Sequence, residues 1–545
     1  MRQCRPLGLL LRRFSPGITA ASALSYNLSA RARRPFVCLL AFTCLSVLTR
    51  LVVSHVDVIN VDEASYMVGA RELLQGRLPY TAFGDNKPPL IYAYYALAQL
   101  LVGHGIEGVR LITALITTPL TAFAVSAFYR HDRRGVVGAV LFLLYSAAYT
   151  ASDMLAVNCE PVMMLPLAWA LVAIRDEDES VHPGRVFASG VLIGLAALVK
   201  YQAGLWAVPI AFALWSNARE RRVGLRALAG AMGLGLLLPV LATTTVFAFA
   251  GGLEGLVYWN VTHNFEYLQN PITAAEALSR GSARVVPFLA VTSLLWYGWY
   301  RSALATSSRH WSRLVAGLIG ASAAAACLGL RFFPHYFIQL YVPLAIAAAP
   351  WVTECLVWPM PRRGWLAAGL TVAVVAGWTT ANVARLGGRT GAALNGPAAA
   401  VAARIRDDAC ADGSLFVWGS APEFYYHARL PLASRFFFPE FPLVRYYAGN
   451  PSATATQARA GRRVRRVRHW SRLMADLARS QPNYIIDTAP AGIARWQHFP
   501  MRDYPLLDRL VARRYTALDT IEGVTVYRRN GCEAEARANG PALAP

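Results

Sequence analysis

Residues 56–103 read VDVINVDEASYMVGARELLQGRLPYTAFGDNKPPLIYAYYALAQLLVG. Whether the closing apolar run LIYAYYALAQLLVG (90–103) crosses a membrane decides the parity of every segment after it. A span of about 30 Å of hydrocarbon needs about 20 residues, so this run has the length of an interfacial or re-entrant helix.

The rest of the chain agrees with that reading. Of its 545 residues 55% are hydrophobic and 15% charged, more apolar material than one soluble core uses. Eleven further apolar stretches precede residue 385, near 35–54, 108–129, 135–152, 161–174, 186–199, 203–216, 227–250, 284–300, 314–330, 336–357 and 364–383. They predict an α-helical polytopic membrane protein of about 11 spans plus interfacial helices. The formal charge of +22 does not point to nucleic acid, because the arginines cluster between apolar stretches, as membrane topology requires. The clusters are residues 1–34, 130–134, 175–185, 219–226, 301–313 and 362–363. The positive-inside rule puts all of them in the cytoplasm only if 90–103 does not cross.

Three parts follow: an Arg-rich cytoplasmic tail over 1–34, a membrane domain over 35–384 with an exported loop at 55–107, and an exported soluble α/β domain over 385–545. In the last part GSLFVWG, PNYIIDTA and YTALDTIEGVTVYRR read as strands, with RLMADLARS as a helix before the second. Cys410 and Cys532 flank it, as a disulfide or as two free thiols.

With this parity the chemically interesting side chains fall on one membrane face. Asp62 and Glu63 open a helix-like stretch, where acids also serve simply to cap. Lys87 precedes Pro88 and Pro89, which restrict the backbone and hold its ammonium near one place. Lys87 and Lys200 are the only lysines, all other basic residues being arginines. Arginine anchors an interface equally well, so a retained lysine points to a compact point charge beside an anion. Asp153 and Glu160 lie at the end of one stretch, Tyr201 follows Lys200, and RFFPHYFIQLY places Arg331, His335 and Tyr336 at another end. Ionisable groups at membrane depth are costly and generally functional.

The strings DEASY, GRLPY, DNKPPL, SDMLAVNCE, LVKYQA and FPHYFIQL together resemble the GT-C membrane glycosyltransferases, in the branch of protein O-mannosyltransferases and lipid A aminoarabinose transferases. The resemblance covers about residues 35–355. It implies inverting transfer of a sugar from a polyprenyl-phosphate donor to a hydroxyl of an acceptor lipid, glycan or protein, at the extracytoplasmic face of a bacterial inner membrane. Carried over residue by residue, Asp62 is the general base with Glu63 its acidic neighbour, and Lys87 and Lys200 are donor-phosphate contacts. Tyr66 is a pocket residue. The residues themselves add Arg331 and His335 as phosphate contacts and Asp153, Glu160, Tyr201 and Tyr336 as pocket or acceptor groups. Ser65 departs from the aminoarabinose branch, which often carries arginine there. No cofactor is required, since lysines can neutralise one phosphate, although the acidic pair has the chemistry to take a divalent ion. Trp259, His263 and Tyr267 are candidate sugar or lipid contacts. The partners are the lipid-linked donor, membrane lipids and the acceptor. The alternative class, a lipid flippase or transporter, predicts ionisable groups at mid-span, whereas these lie at span ends.

Overall fold

A computed structural model describes residues 17–54, 56–175, 182–221, 224–268, 272–305, 309–357, 360, 362–387, 395–439, 441 and 467–534. All eleven apolar stretches lie wholly or largely in helix. Among the described residues, five helical segments are long and apolar enough to span: Arg34–Val53, Ile106–Phe128, Leu225–Phe249, Trp311–Leu330 and Pro334–Cys355. Shorter apolar helices include Cys159–Ile174 and Pro183–Ala197. The first helix, α1 (Gly17–Arg50), starts well before the expected span and carries Pro35 inside it, so part of the expected tail is helical. Residues 1–16 of that tail lie outside the described residues.

Two helices of the 55–107 loop position everything that follows. In α2 (Val61–Leu74) the Asn60 side chain caps the start by accepting from the Asp62 N–H at 3.0 Å. The helix stops at Gly76, whose φ of 75° a side chain would resist. The apolar run becomes α3 (Leu90–Val102), starting after Pro89 and ending at Gly103 with φ 91°. At about 1.5 Å per residue its 13 residues reach about 20 Å, short of a bilayer. Its Tyr92 and Tyr95 pack edge-on against Tyr66 of α2, so the face toward α2 is aromatic. Leu97, Leu100 and Leu101 remain exposed on the other side.

The carboxyl-terminal part holds a four-stranded sheet of order β1 (Leu415–Trp418), β2 (Tyr484–Asp487), β4 (Val524–Arg529), β3 (Tyr515–Ile521). β1 and β2 are parallel, and the remaining pairs are antiparallel. The closing segment, read as one strand, is a hairpin. Glu522 and Gly523 both take positive φ, the conformation of a tight two-residue hairpin turn. Cys410 and Cys532 form a disulfide, which resolves the two alternatives left open by the sequence.

This α/β unit is docked on the loop. The Gly84 N–H donates to Arg435 O at 2.7 Å, and Arg71 donates to Leu430 O at 2.9 Å. His427 Nε2 lies 2.9 Å from Asp57, and Ile106 N–H donates to the Tyr426 hydroxyl.

Candidate active site

The first turn of α2 sends its two acids in different directions. Glu63 is fully buried, and both of its oxygens are occupied. One accepts from Arg110 Nε at 3.1 Å and Val157 N at 2.9 Å, and the other from Arg110 Nη2 at 2.6 Å and Ile59 N at 3.3 Å. Arg110 in turn donates to the carbonyls of Val53, Val56 and Asp57. Glu63 therefore has no oxygen lone pair facing a reactant. Expected in the acidic motif beside Asp62, Glu63 instead ties α2 to Arg110 and to the backbone at 59 and 157.

Asp62 faces the opposite way. Its carboxylate lies 3.7 Å from Lys87 Nζ, and each side chain keeps about a fifth of its surface exposed, 21%. Burial alone raises the Asp62 carboxyl, but Lys87, then His335 and Lys200, with the Tyr66 hydroxyl, outweigh it and hold it below the usual carboxylate range. Burial likewise opposes the charge on Lys87, yet Asp62 and Asp85 hold its ammonium well above the ordinary lysine value. The result is one carboxylate facing two lysines and a histidine drawn from three separate segments.

The loop that carries Lys87 is pinned by its backbone. Lys87 O accepts from the Tyr80 hydroxyl at 2.6 Å, and Asn86 O accepts from the Tyr201 hydroxyl at 2.5 Å. Asn264 joins the same carbonyl and the Tyr201 hydroxyl, so Tyr201 is a loop support. Asp85 is buried and accepts from the Tyr92 hydroxyl at 2.5 Å and from Asn86 N at 2.6 Å. Burial lifts the Asp85 carboxyl above its usual range despite Lys87 and Tyr92. Asp85, Tyr80, Asn260 and Asn264 escaped the sequence reading because nothing local links the 80–87 loop to the helical turns at 258–268.

Lys200 sits at the start of the short 3-10 helix Tyr201–Trp206, and its ammonium is ion-paired with Glu160. Both are buried, and the ammonium also lies 3.9 Å from the centre of the Tyr336 ring. The Asp153 carboxylate lies 3.0 Å from His335 Nδ1, where it accepts from the ring N–H. Tyr66 shares a hydrogen bond with Cys159 Sγ at 3.3 Å. Asp62, Lys87, Tyr66, Glu160, Lys200, Tyr336, Asp153 and His335 thus form one connected cluster. Arg331 is half-buried four residues before His335.

Two expected contacts from the 251–283 segment prove structural. Trp259 and His263 are buried, 4% and 1% exposed, in an aromatic cluster with Phe441 and His469 of the carboxyl-terminal unit. The Tyr267 side chain lies outside the described residues. A groove is lined by Arg50, Leu51, Arg110, Leu111, Met154 and Leu155. It contains none of the Asp62 cluster, and its Arg110 is already satisfied, so the chemistry favours the Asp62 side. Among the described residues no group of three or more His, Cys, Asp or Glu side chains has metal-binding geometry.

Comparison with known proteins bears on this arrangement. Residues 86–244 match the family model of dolichyl-phosphate-mannose-protein mannosyltransferases. A search of curated sequences finds no significant match. The structure of ArnT from Cupriavidus metallidurans bound to undecaprenyl phosphate superposes with a TM-score of 0.58 at 14% identity, covering 93% of this chain and 98% of that one. The apo form of the same protein gives 0.56 at 15% identity, with 90% and 97% covered. At such identity the likeness establishes the fold, while the family match covers the segment that carries Lys87, Asp153, Glu160 and Lys200. The chain thus has apolar helices long enough to span a membrane, the fold of ArnT, and a segment over residues 86–244 similar to the dolichyl-phosphate-mannose-protein mannosyltransferases.

Proposed function

We propose that this protein transfers a sugar from a polyprenyl-phosphate donor to an acceptor hydroxyl, with inversion, at the extracytoplasmic edge of the membrane. The observation that carries the reading is the Asp62 carboxylate set among Lys87, Lys200 and His335 at one end of the helical bundle. A hydroxyl must lose its proton as it attacks the anomeric carbon, and a positioned carboxylate supplies about 10²–10⁴ in rate. Asp62 is that base. The bond broken is from the anomeric carbon to the phosphate oxygen, whose developing charge calls for fixed cations. Lys87 takes the phosphate first because it is partly exposed, followed by Lys200, with His335 and Arg331 at the margin.

On this reading the Asp62–Lys87 pair holds the base in check until the donor binds. Lys87 keeps Asp62 ionised yet a weak base, and a phosphate that takes over the ammonium raises the basicity of Asp62 when an acceptor needs it. No metal is needed, and retained turnover after chelation is the expected result. Agreement with a lipid-phosphate donor comes from the ArnT structure, which was solved with undecaprenyl phosphate. The acceptor is a lipid, glycan or protein hydroxyl.

The decisive experiment compares cells with and without the protein. Loss should leave one surface glycan, lipid or protein without a sugar and should raise the level of a polyprenyl-phosphate sugar. Unchanged lipids, glycans and proteins would sink the proposal.

A further inference from the structure

The buried pair between Glu160 and Lys200 is an unusual resting place for a phosphate-binding lysine. Glu160 shows no exposed surface and Lys200 only 5%. One Glu160 oxygen holds the Lys200 ammonium, while the other, Oε2, is buried without a hydrogen-bond partner among the described residues. Two residues earlier, Asn158 Oδ1 is also buried without a donor. Each of these buried acceptors lacks a donor among the described residues.

We infer that Glu160 is a positioning residue that stands in for the donor phosphate, and that Lys200 leaves it for the phosphate as Glu160 takes up a proton. This rests on the lipid-phosphate reading above. A buried carboxylate stripped of its only cation is strongly disfavoured, and neutralising it is the cheaper response. The step balances simply: the Lys200 N–H···O contact to Glu160 is exchanged for one to a phosphate oxygen, and one proton from water converts the carboxylate to a carboxylic acid.

Among the described residues the charged and titratable groups packed around the pair are engaged elsewhere. Tyr336 covers its ammonium, Cys159 is neutral and bonded to Tyr66, and Asp153 holds His335. Lys87 is paired with Asp62. The segments Thr113–Thr117 and Thr118–Phe128 packed on Cys159–Ile174 carry no ionisable side chain. In Pro183–Ala197 the one such group, Arg185, binds the carbonyls of Ala173 and Arg175 at the far end. Tyr201 is engaged with Asn86 and Asn264.

The test is binding of undecaprenyl phosphate to the full-length protein in lipid nanodiscs, for the wild type and for Glu160→Gln, from about pH 7 to about 9, above the second ionisation of a phosphate monoester near 6. The wild type should lose affinity with rising pH, approaching about tenfold per unit for one linked proton. Glu160→Gln should bind with a flatter pH profile and more tightly at the alkaline end. Parallel pH profiles would overturn the inference, as would weaker binding by the folded variant at every pH. Should the variant not fold, calorimetry of the wild type in two buffers of different ionisation enthalpy reads proton uptake directly, about one being expected and none overturning it. Absence of binding by the wild type at every pH would instead overturn the lipid-phosphate reading, and this inference with it.

Discussion

Asp62 and Glu63 are consecutive residues of one helix turn, and each has a cation beside it, yet the two pairs are built for opposite purposes. Glu63 and Arg110 are buried, close at 2.6 Å, and joined to five backbone groups between them. Asp62 and Lys87 are 3.7 Å apart, partly exposed and loosely held. A saturated pair fixes position and cannot trade partners without loss. A loose pair is available to a hydroxyl on one side and to a phosphate on the other. In the proposed mechanism, satisfaction of hydrogen bonds, more than charge, separates the group that reacts from the group that holds.

The strongest way to break this contrast is through the two acids. Asp62→Asn should lower sugar transfer by about 10²–10⁴ while the protein stays inserted and folded. Near-normal turnover in a transfer assay would remove Asp62 from the mechanism. Glu63→Gln should act on the fold, because it leaves Arg110 buried without its counter-charge, a loss of about 3–5 kcal/mol. Thermal unfolding should fall steeply, and the double change Glu63→Leu with Arg110→Met should regain much of it. A Glu63→Gln protein of full stability but without turnover would mean that Glu63 belongs to the chemistry after all.

Lys87→Met sharpens the same contrast from the cation side. Loss of one fixed cation opposite a developing charge costs about 3–4 kcal/mol of catalysis, while a partly exposed pair contributes only about 0–1 kcal/mol to stability. Transfer should therefore fall by two to three orders of magnitude, to go by about 1.4 kcal/mol per decade, with almost no change in melting. A drop in melting as large as that of Glu63→Gln would show that the loose pair is structural too.

The difference between the acids was invisible in the sequence, which shows two neighbouring carboxylates and nothing to rank them. The partner that ranks them, Arg110, lies 47 residues away. One signal did exist: Arg110 sits at the outer end of an apolar stretch, against the positive-inside pattern that the other arginines follow. The Glu160–Lys200 pairing spans 40 residues and was equally out of reach. The membrane class, the short run at 90–103 and the convergence of Asp62, Lys87 and Lys200 were legible because periodicity, length and arginine bias are local or statistical. Docking of the carboxyl-terminal unit on the loop was not, because it depends on shape.

That docking gives a smaller test. A Cβ on Gly84 would fall 2.0 Å from the Trp259 ring, while the Gly84 N–H holds Arg435 O. Gly84→Ala should force the ring or the loop aside at about 1–3 kcal/mol, with a lower melting temperature and a raised KM. An unchanged melting temperature would mean that the Trp259 cluster yields freely and does not set the loop.

The smallest effect concerns Glu423, at the start of the helix Glu423–Ala428, beside the Asp57–His427 pair on the Arg110 side of α2. Burial pushes its carboxyl up to about 7, Asp57 adding to the rise while its own backbone N–H and His427 oppose it. The folded value thus lies above that of an unfolded glutamate, about 4.3, so the native state binds this proton more tightly. Its contribution is full below the unfolded value and is lost as the pH climbs through about 7. Glu423→Gln removes the buried charge that forms at alkaline pH, and so the variant should melt about 2–4 °C above the parent near pH 8. The gap should close toward pH 5, where the parent carboxyl is already neutral. A gap that is constant across this range, or wider in acid, would show that Glu423 stays ionised in the interface and that the Arg110 side of α2 tolerates a further charge.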